Sequence, residues 1–259
     1  MNRLPVLLSI PHGGSDIPES VRDRMVLSPQ DFLADGDPFT RHIYGLREEV
    51  MAYVEAHVAR VVIDLNRPPG ERAPVFPDGV IKSHTCHGVP VYGQGMEPGE
   101  ELAALLMREH YDPYHNLIRS ILDSRTDLKL ALDCHSMEPV GPTLGPDPGQ
   151  PRPLICLGIR GGRSCPRDWG GRLAACFREE FQLPEEEVMI DRPFSGGYIT
   201  QTYGQRTIPW IQVEMNRRLY LDPAWFDAKT LRMDPARLDD LRGRFRRVLE
   251  NFCLQLGFV

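Results

Sequence analysis

The chain has 259 residues, of which 41% are hydrophobic and 25% charged, values that exclude a disordered, collagenous or fibrous protein. Its 30 Lys and Arg against 36 Asp and Glu give a formal net charge of -6 without any dense basic run. We therefore expect neither a nucleic acid nor a membrane as partner. Because no repeat or linker interrupts the sequence, we expect a single domain over residues 1–259.

The N-terminal segment and the cysteines indicate the cellular compartment. The first apolar run has only five residues between two prolines, too few for a secretory signal, and no later run reaches the roughly 18 apolar residues of a membrane span. The six cysteines form no CxxC pair and no dense framework. We therefore expect reduced thiols in a cytoplasmic protein.

Short apolar runs alternate with helical patterns along the chain, which predicts an α/β fold. Several runs are apolar on both faces, as a mostly parallel, mixed sheet covered by helices in three layers requires. The predicted strands cover residues 5–10, 60–65, 129–134, 154–158, 187–190 and 208–215.

Apolar residues that recur at steps of three and four predict helices between these strands. Pro113 interrupts the pattern of residues 100–125 and must end or bend that helix, because proline lacks a backbone donor. Loops rich in proline and glycine at 67–79, 89–99 and 139–153 are candidates for the walls of a pocket. The helical stripes are Phe39, Ile43, Leu46, Val50 and Val54; Leu117, Ile118, Ile121 and Leu122; and Leu238, Leu241, Phe245, Val248, Leu249 and Phe252.

Polar residues follow several of the predicted strands, at the edge where open α/β sheets bind ligands. Two histidines and a carboxylate from separate strand ends predict a zinc-like hydrolytic site with one position open for water. A structural role is the commoner interpretation of a single histidine, so that alternative stays open. The candidates at the strand ends are His12, Asn66, Arg67, His135, Ser136, Glu214 and Arg217.

Glu214 lies near the end of an otherwise apolar strand, where burial of its charge costs several kcal/mol unless it is compensated. A metal-bound water would compensate the charge and would need such a base. An ion pair with Arg67 or Arg192 explains the residue equally well. Arg67 could instead bind a substrate carboxylate through both prongs of its guanidinium, whereas for Arg192 we favour a structural role.

Three further segments allow competing interpretations. Asp35 and Asp37 precede a helical stripe, where helix capping is the default and metal ligation the alternative. The turn of residues 158–164 could cradle a phosphate, although it lacks both a P-loop and a GxGxxG pattern. A nucleotide- or phosphate-binding module is therefore the alternative from another functional class. We do not favour a second metal site in residues 84–87, HTCH, because neighbouring loop residues rarely face one ion.

Eight segments occur in this order along the chain: IPHGG, DGDPFTRHIYGL, VVIDLNRPPG, GVPVYGQG, DPYHNLI, LDCHSM, RPFSGGYITQTYG and IQVEMNRRLY. Together they make the sequence similar to the N-formylglutamate amidohydrolase family, relatives of the zinc carboxypeptidases. The similarity covers roughly residues 6 to 222. It implies a zinc-exopeptidase-like fold and a zinc-dependent hydrolase that converts N-formyl-L-glutamate to formate and glutamate, late in histidine breakdown.

The resemblance also assigns roles to residues. It implies zinc ligands at His12, His135 and one acid of the Asp35-Gly36-Asp37 segment, for which we prefer Asp37. By analogy with the zinc carboxypeptidases, the general base falls on Glu214. The implied substrate contacts, with the two arginines binding carboxylates, are Arg67, Arg192, Asn66, Ser136, Gly196 and Gly197.

Two departures from the family pattern bear on the substrate. Gln94 stands where many members have a basic residue, and the HTCH stretch before it is not the family's pattern. The expected partner is therefore a small N-acyl amino acid, of which N-formyl-L-glutamate is one. Zinc is the expected cofactor, although nickel, cobalt or iron can occupy a mixed site. A family member that binds without cleaving is a further alternative, and a homo-oligomer is compatible with the sequence.

Overall fold

A six-stranded sheet forms the centre of the computed structural model, which describes residues 3–204 and 206–258. Its strands are β1 (Leu4–Ile10), β2 (Val50–Glu55), β3 (Leu130–Met137), β4 (Ile155–Gly158), β5 (Val188–Ile190) and β6 (Trp210–Asn216). The order across the sheet is β2-β1-β3-β6-β4-β5, with every neighbouring pair parallel except β4 and β6. The predicted mostly parallel, mixed α/β fold is confirmed.

Helices cover both faces of this sheet. Because successive strand residues point to opposite faces, the sheet contributes to two separate apolar clusters and separates two helical layers. The helices are α1 (Glu19–Arg22), α2 (Pro29–Asp35), α3 (Thr40–Ile43), α4 (Glu100–Leu106), α5 (Asp112–Ser124), α6 (Arg167–Phe181), α7 (Tyr198–Tyr203) and α8 (Pro235–Gln255). A small hairpin, β7 (Phe226–Asp227) and β8 (Arg232–Met233), precedes α8.

The second predicted strand is wrong. Residues 60–65 form turns whose apolar side chains pack in one of the clusters, and the strand at this place in the chain is β2. Val50 and Val54, whose spacing in the sequence predicts a helical stripe, lie in β2, where buried and half-buried residues alternate with period two. A buried apolar run does not by itself distinguish a strand from a packed turn.

The helix predictions are confirmed in part. A π-helical turn, Met107–Tyr111, joins α4 to α5, and Pro113 lies in the first turn of α5, where the missing donor is tolerated. The last stripe lies in α8. The capping prediction is wrong for Asp35, which is the last residue of α2, and for Asp37, because Phe39 is the N-cap of α3.

The turn that follows β4 lies near the start of β6, whereas the carboxyl ends of β1, β3 and β6 lie together at the other end of these strands. Since β4 is antiparallel to β6, it runs towards the start of β6, and Trp210 N donates to Ser164 O at 2.8 Å. The backbone N–H groups of residues 159–161 donate to the carboxylate of Asp191 at 2.7 to 3.0 Å. No helix in the described residues is long and apolar enough to span a membrane.

Candidate active site

A cavity of about 500 Å³ lies at the carboxyl ends of β1, β3 and β6. It contains every predicted site residue except Arg192. Of the three loops predicted as walls, those of residues 67–79 and 139–153 line the cavity and that of residues 89–99 does not. Its polar lining includes His12, Asp37, Arg60, Asp64, Asn66, Arg67, Asp78, His135, Ser136, Glu138, Arg152, Gln212, Glu214 and Arg217.

Three buried side chains form a compact cluster on the cavity floor. His12 Nδ1 lies 3.1 Å from His135 Nδ1 and 3.4 Å from Asp37 Oδ2, and His135 Nδ1 lies 3.1 Å from the same oxygen. Ligand atoms about 2.1 Å from a tetrahedral zinc ion are separated by about 3.4 Å. The three atoms therefore have the spacing of three ligands of one metal ion.

The second nitrogen of each ring explains why the first nitrogens face one another. His12 Nε2 donates to Asp64 Oδ1 at 2.7 Å, and His135 Nε2 lies 3.2 Å from Asp133 Oδ2. With Nε2 of each ring facing these carboxylates, Nδ1 is the nitrogen that faces Asp37 and can bind a cation. Three buried ligand atoms this close together can share one cation, as the ligands of a metal ion do.

The electrostatics of the cluster are consistent with cation binding. Burial alone would raise the pKa of Asp37, but hydrogen bonds and charge from His12 and His135 outweigh it and hold the pKa well below its usual range. Burial alone would lower the pKa of His135, yet Asp133 and Asp37 raise it well above its usual value. The surrounding carboxylates therefore favour positive charge at this point.

The structure brings Asp37, and not Asp35, to the two histidines. Arg217 Nη2 lies 3.2 Å from Asp37 Oδ1, which leaves Oδ2 to face the rings. The Arg217 guanidinium also donates to the carbonyls of Ala34 and Gly36 and therefore fixes the segment that carries Asp37. Asp35 instead forms an ion pair with the buried Lys82.

Glu214 faces the cluster from the neighbouring strand. In the register of β3 and β6 it lies beside His135, and Gln212 Nε2 donates to Glu214 Oε1 at 2.7 Å. Burial raises the pKa of Glu214, opposed by the charge of His135. Within the described residues Glu214 makes no ion pair with Arg67 or Arg192, so an ion pair with either arginine does not explain its burial.

Hydrogen bonds link the segment around Gly197 to Gln212, the partner of Glu214, and to Asn66. Gly197 N donates to Gln212 Oε1, and Asn66 Oδ1 accepts a hydrogen bond from Ile199 N at 2.7 Å. A Cβ atom at position 197 would lie 2.5 Å from Asn66 Nδ2, so the close approach requires glycine there. Gly196 and Ser136 also line the cavity.

The two predicted carboxylate-binding arginines have different surroundings. Arg67 lines the cavity, half-buried, with Nη2 2.9 Å from Asp78 Oδ2. Arg192 is exposed and does not line it, although Pro193 and Phe194, which follow it, do. The geometry therefore favours Arg67 over Arg192 as a substrate contact.

Several supporting residues had no clear signal in the sequence. Asp64 and Arg217 act on His12 and Asp37, which lie 52 and 180 residues away along the chain, so no local pattern reveals these partners. His115 belongs to the DPYHNLI segment; its Nε2 donates to Leu65 O at 3.0 Å. Burial lowers the pKa of His115 to about 4 and keeps the ring neutral behind the buried turn that leads to Asn66.

Comparison with known proteins identifies relatives over most of the chain. A family model described as N-formylglutamate amidohydrolase matches residues 4–221. The chain is 31% identical over 233 residues to an N-formylglutamate deformylase of Pseudomonas aeruginosa, covering 85% of this chain and 83% of the relative. It is 30% identical over 229 residues, with the same coverages, to an N-formylglutamate deformylase of Pseudomonas putida.

Solved structures share the fold. A crystal structure of N-formylglutamate amidohydrolase from Ralstonia eutropha superposes with a TM-score of 0.76 at 19% identity, covering 99% of this chain and 96% of that one. A gene product from Agrobacterium tumefaciens gives a TM-score of 0.70 at 18% identity, covering 98% and 92%. At these identities the likeness extends to the fold alone.

Proposed function

The chain belongs to the N-formylglutamate amidohydrolase family, and we propose that it is a metal-dependent hydrolase that cleaves N-formyl-L-glutamate to formate and L-glutamate. One observation carries the proposal: Glu214 lies beside His135, in a single cavity with the buried cluster of His12, Asp37 and His135. A base next to a three-ligand metal site with an open side is the arrangement that amide hydrolysis requires.

The donor set supports zinc as the resident ion. His12, Asp37 and His135 would hold it through two imidazoles and a carboxylate, a combination common in catalytic zinc sites. Nickel, cobalt and iron accept the same donors. When bound, the metal would supply a Lewis acid for the amide carbonyl and would make a water acidic near neutral pH.

Glu214 acts first as a general base and then as a general acid. Gln212 occupies Oε1, so Oε2 is the oxygen available to the attacking water, and the carboxylate accepts its proton as the C–O bond forms. The protonated Glu214 then donates to the amide nitrogen as the C–N bond breaks. The second proton of the water passes from the formic acid to the freed amine, so one water is consumed and formate and L-glutamate leave.

Arg67 orients the substrate. Its guanidinium lines the cavity and suits a carboxylate, of which N-formyl-L-glutamate carries two. Arg217 also lines the cavity, but its guanidinium already donates hydrogen bonds to Asp37, Ser136 and two backbone carbonyls. It therefore positions Asp37 instead of binding a substrate carboxylate. Asn66, whose Oδ1 accepts from Ile199 N, can donate from Nδ2 to the bound substrate.

The alternatives have less support. In residues 158–164 the N–H groups that could bind a phosphate already donate to Asp191. A protein that binds without cleaving would have no need of a buried Glu214 next to metal ligands. The six cysteines are free and buried, which suits the reducing cytoplasm that we propose as the compartment.

Formate release from N-formyl-L-glutamate tests the proposal. We expect turnover by the metal-loaded protein, loss of turnover after chelation and recovery on adding zinc back. N-formyl-L-glutamine, which lacks the side-chain carboxylate, should be cleaved with a higher KM. Absence of formate release from the metal-loaded protein would refute the proposed substrate.

A further inference from the structure

Lys82 is a buried cation behind the cavity wall, outside the catalytic groups. We propose that Lys82 is a positioning residue that keeps Arg67 available for a substrate carboxylate. It does so by holding one oxygen of Asp78, whose other oxygen contacts Arg67. The inference rests on the proposed role of Arg67 in binding N-formyl-L-glutamate and names Lys82 as the residue that keeps the Arg67 guanidinium available for this role.

The surroundings of Lys82 are fully enclosed and acidic. The exposed fraction of its side chain is 0%, and Nζ lies 2.9 and 3.0 Å from the two oxygens of Asp35 and 2.5 Å from Asp78 Oδ1. A buried ammonium is costly to desolvate unless carboxylates surround it. One ammonium between two carboxylates leaves a formal charge of -1, which Asp78 shares with Arg67.

Arg67 has more than one acidic neighbour, but Asp78 is the closest. Arg67 Nη2 lies 2.9 Å from Asp78 Oδ2, whereas Nε is 3.8 Å from Asp64 Oδ2 and Nη1 is 4.0 Å from Glu71 Oε2. Asp64 is already engaged by Arg60 at 2.9 Å and by His12 at 2.7 Å. Asp78 is therefore the principal competitor of a substrate carboxylate for this guanidinium.

Lys82 weakens that competition. While the ammonium engages Oδ1, the charge of Asp78 is divided between two cations, and Arg67 keeps positive potential towards the cavity. Without the ammonium, Asp78 would pair with Arg67 alone and neutralise it. Lys82 neither lines the cavity nor contacts the metal ligands or Glu214 within the described residues, so its loss should affect substrate binding and not the chemical step.

Binding of glutarate, a dicarboxylate without an amide, tests the proposal in the metal-loaded protein. Calorimetry on Lys82→Met should give a Kd about tenfold higher than that of the wild type. The KM for N-formyl-L-glutamate should rise by a similar factor while kcat and metal content stay within about twofold. Lys129→Met, the same substitution at an exposed lysine before β3, is the matched control and should change neither constant.

A charge-matched rescue separates this role from a purely structural one. Lys82→Met combined with Asp78→Asn restores the formal charge of the group to -1 and removes the competitor of Arg67. Glutarate binding should then return to within about threefold of the wild type. In an Arg67→Gln background, Lys82→Met should change the Kd by less than about twofold, because the residue through which it acts is gone.

Several results would overturn the proposal. They are equal effects of Lys82→Met with and without Arg67, a fall in kcat at unchanged KM, or no rescue by Asp78→Asn. If Lys82→Met does not fold, Asp78→Asn alone should bind glutarate at least as tightly as the wild type, and weaker binding contradicts the account. A protein that releases no formate but follows the glutarate pattern would refute only the proposed reaction.

Discussion

The end of β3 and the end of β4 both carry polar groups, yet the two strands run in opposite directions, so β3 ends beside the end of β6 and β4 ends near its start. At the end of β3, His135 meets His12, Asp37 and Glu214 around a cavity. At the end of β4, backbone N–H groups converge on Asp191, a carboxylate of the chain itself. The first region has the spacing of three metal ligands and opens into a cavity, whereas the second is satisfied internally.

Strand direction produces this difference. Strands β1, β3 and β6 are parallel, so their carboxyl ends meet and the side chains that follow them share one space. Strand β4 is antiparallel to β6 and carries its turn away from them. Similar polar turns after strands of one sheet therefore have different chemistry.

Removal of the base should give the largest effect on the cavity side. Glu214→Gln keeps the shape and the Gln212 contact but cannot accept a proton, so kcat should fall by about 10³ while metal content is unchanged. Stopped assays of formate release measure it. Glu180→Gln, the same change at a surface ion pair with Arg247, is the control and should be neutral. Near-normal turnover of Glu214→Gln would remove Glu214 from the mechanism.

The carboxylates behind the histidines should give the next largest effect. Asp133→Asn and Asp64→Asn weaken the acceptors of the Nε2 protons, so the metal affinity should fall by about 10- to 100-fold. Competition with a chelator measures the affinity. Asp191→Asn makes the same chemical change at the end of β4 and should leave the affinity unaltered. Equal losses in all three variants would mean that the effect is general destabilisation.

The amide that holds the base should give a smaller effect. Gln212→Met removes the hydrogen bond to Glu214 Oε1 and the acceptor of Gly197 N, so kcat should fall by about tenfold at constant metal content. Steady-state kinetics separate this from a change in KM. A Gln212→Glu variant, which adds a second carboxylate, should be slower still, and full activity of Gln212→Met would contradict the positioning role.

The smallest effect on activity is expected at the end of β4. Asp191→Ala leaves the backbone N–H groups of Ile159 and Gly161 without their acceptor and should reduce the free energy of unfolding by about 2 kcal/mol. The kcat for N-formyl-L-glutamate should stay within about twofold. Chemical denaturation and the hydrolysis assay measure the two quantities. Phosphate or ATP should not raise the Tm of the wild type, and a rise would restore the phosphate-binding interpretation of this turn.

The sequence predicted the parts of the site that depend on local order. His12 and His135 belong to short segments at strand ends, and Glu214 is a charge within an apolar run, so each has a local signal. Arg217 and Asp64 could not be assigned in this way, because their partners Asp37 and His12 lie 180 and 52 residues away. Such contacts depend on how the elements pack.

The wrong predictions have physical causes of the same kind. The apolar run of residues 60–65 is buried like a strand, and only its packing makes it a turn. The resemblance implies a substrate contact at Arg192, but a loop has no fixed period, and its neighbours Pro193 and Phe194 line the cavity instead. The antiparallel direction of β4 likewise leaves no mark in its four residues.

Metal content measured together with formate release tests the central claim most directly. The wild type, His12→Ala and His135→Ala are purified without an affinity tag, loaded with zinc, desalted and analysed by mass spectrometry of the metal. The account predicts about one ion per chain in the wild type, with both the ion and the activity lost in each variant. A variant that keeps the ion, or a metal-free wild type that still releases formate at the full rate, would contradict it.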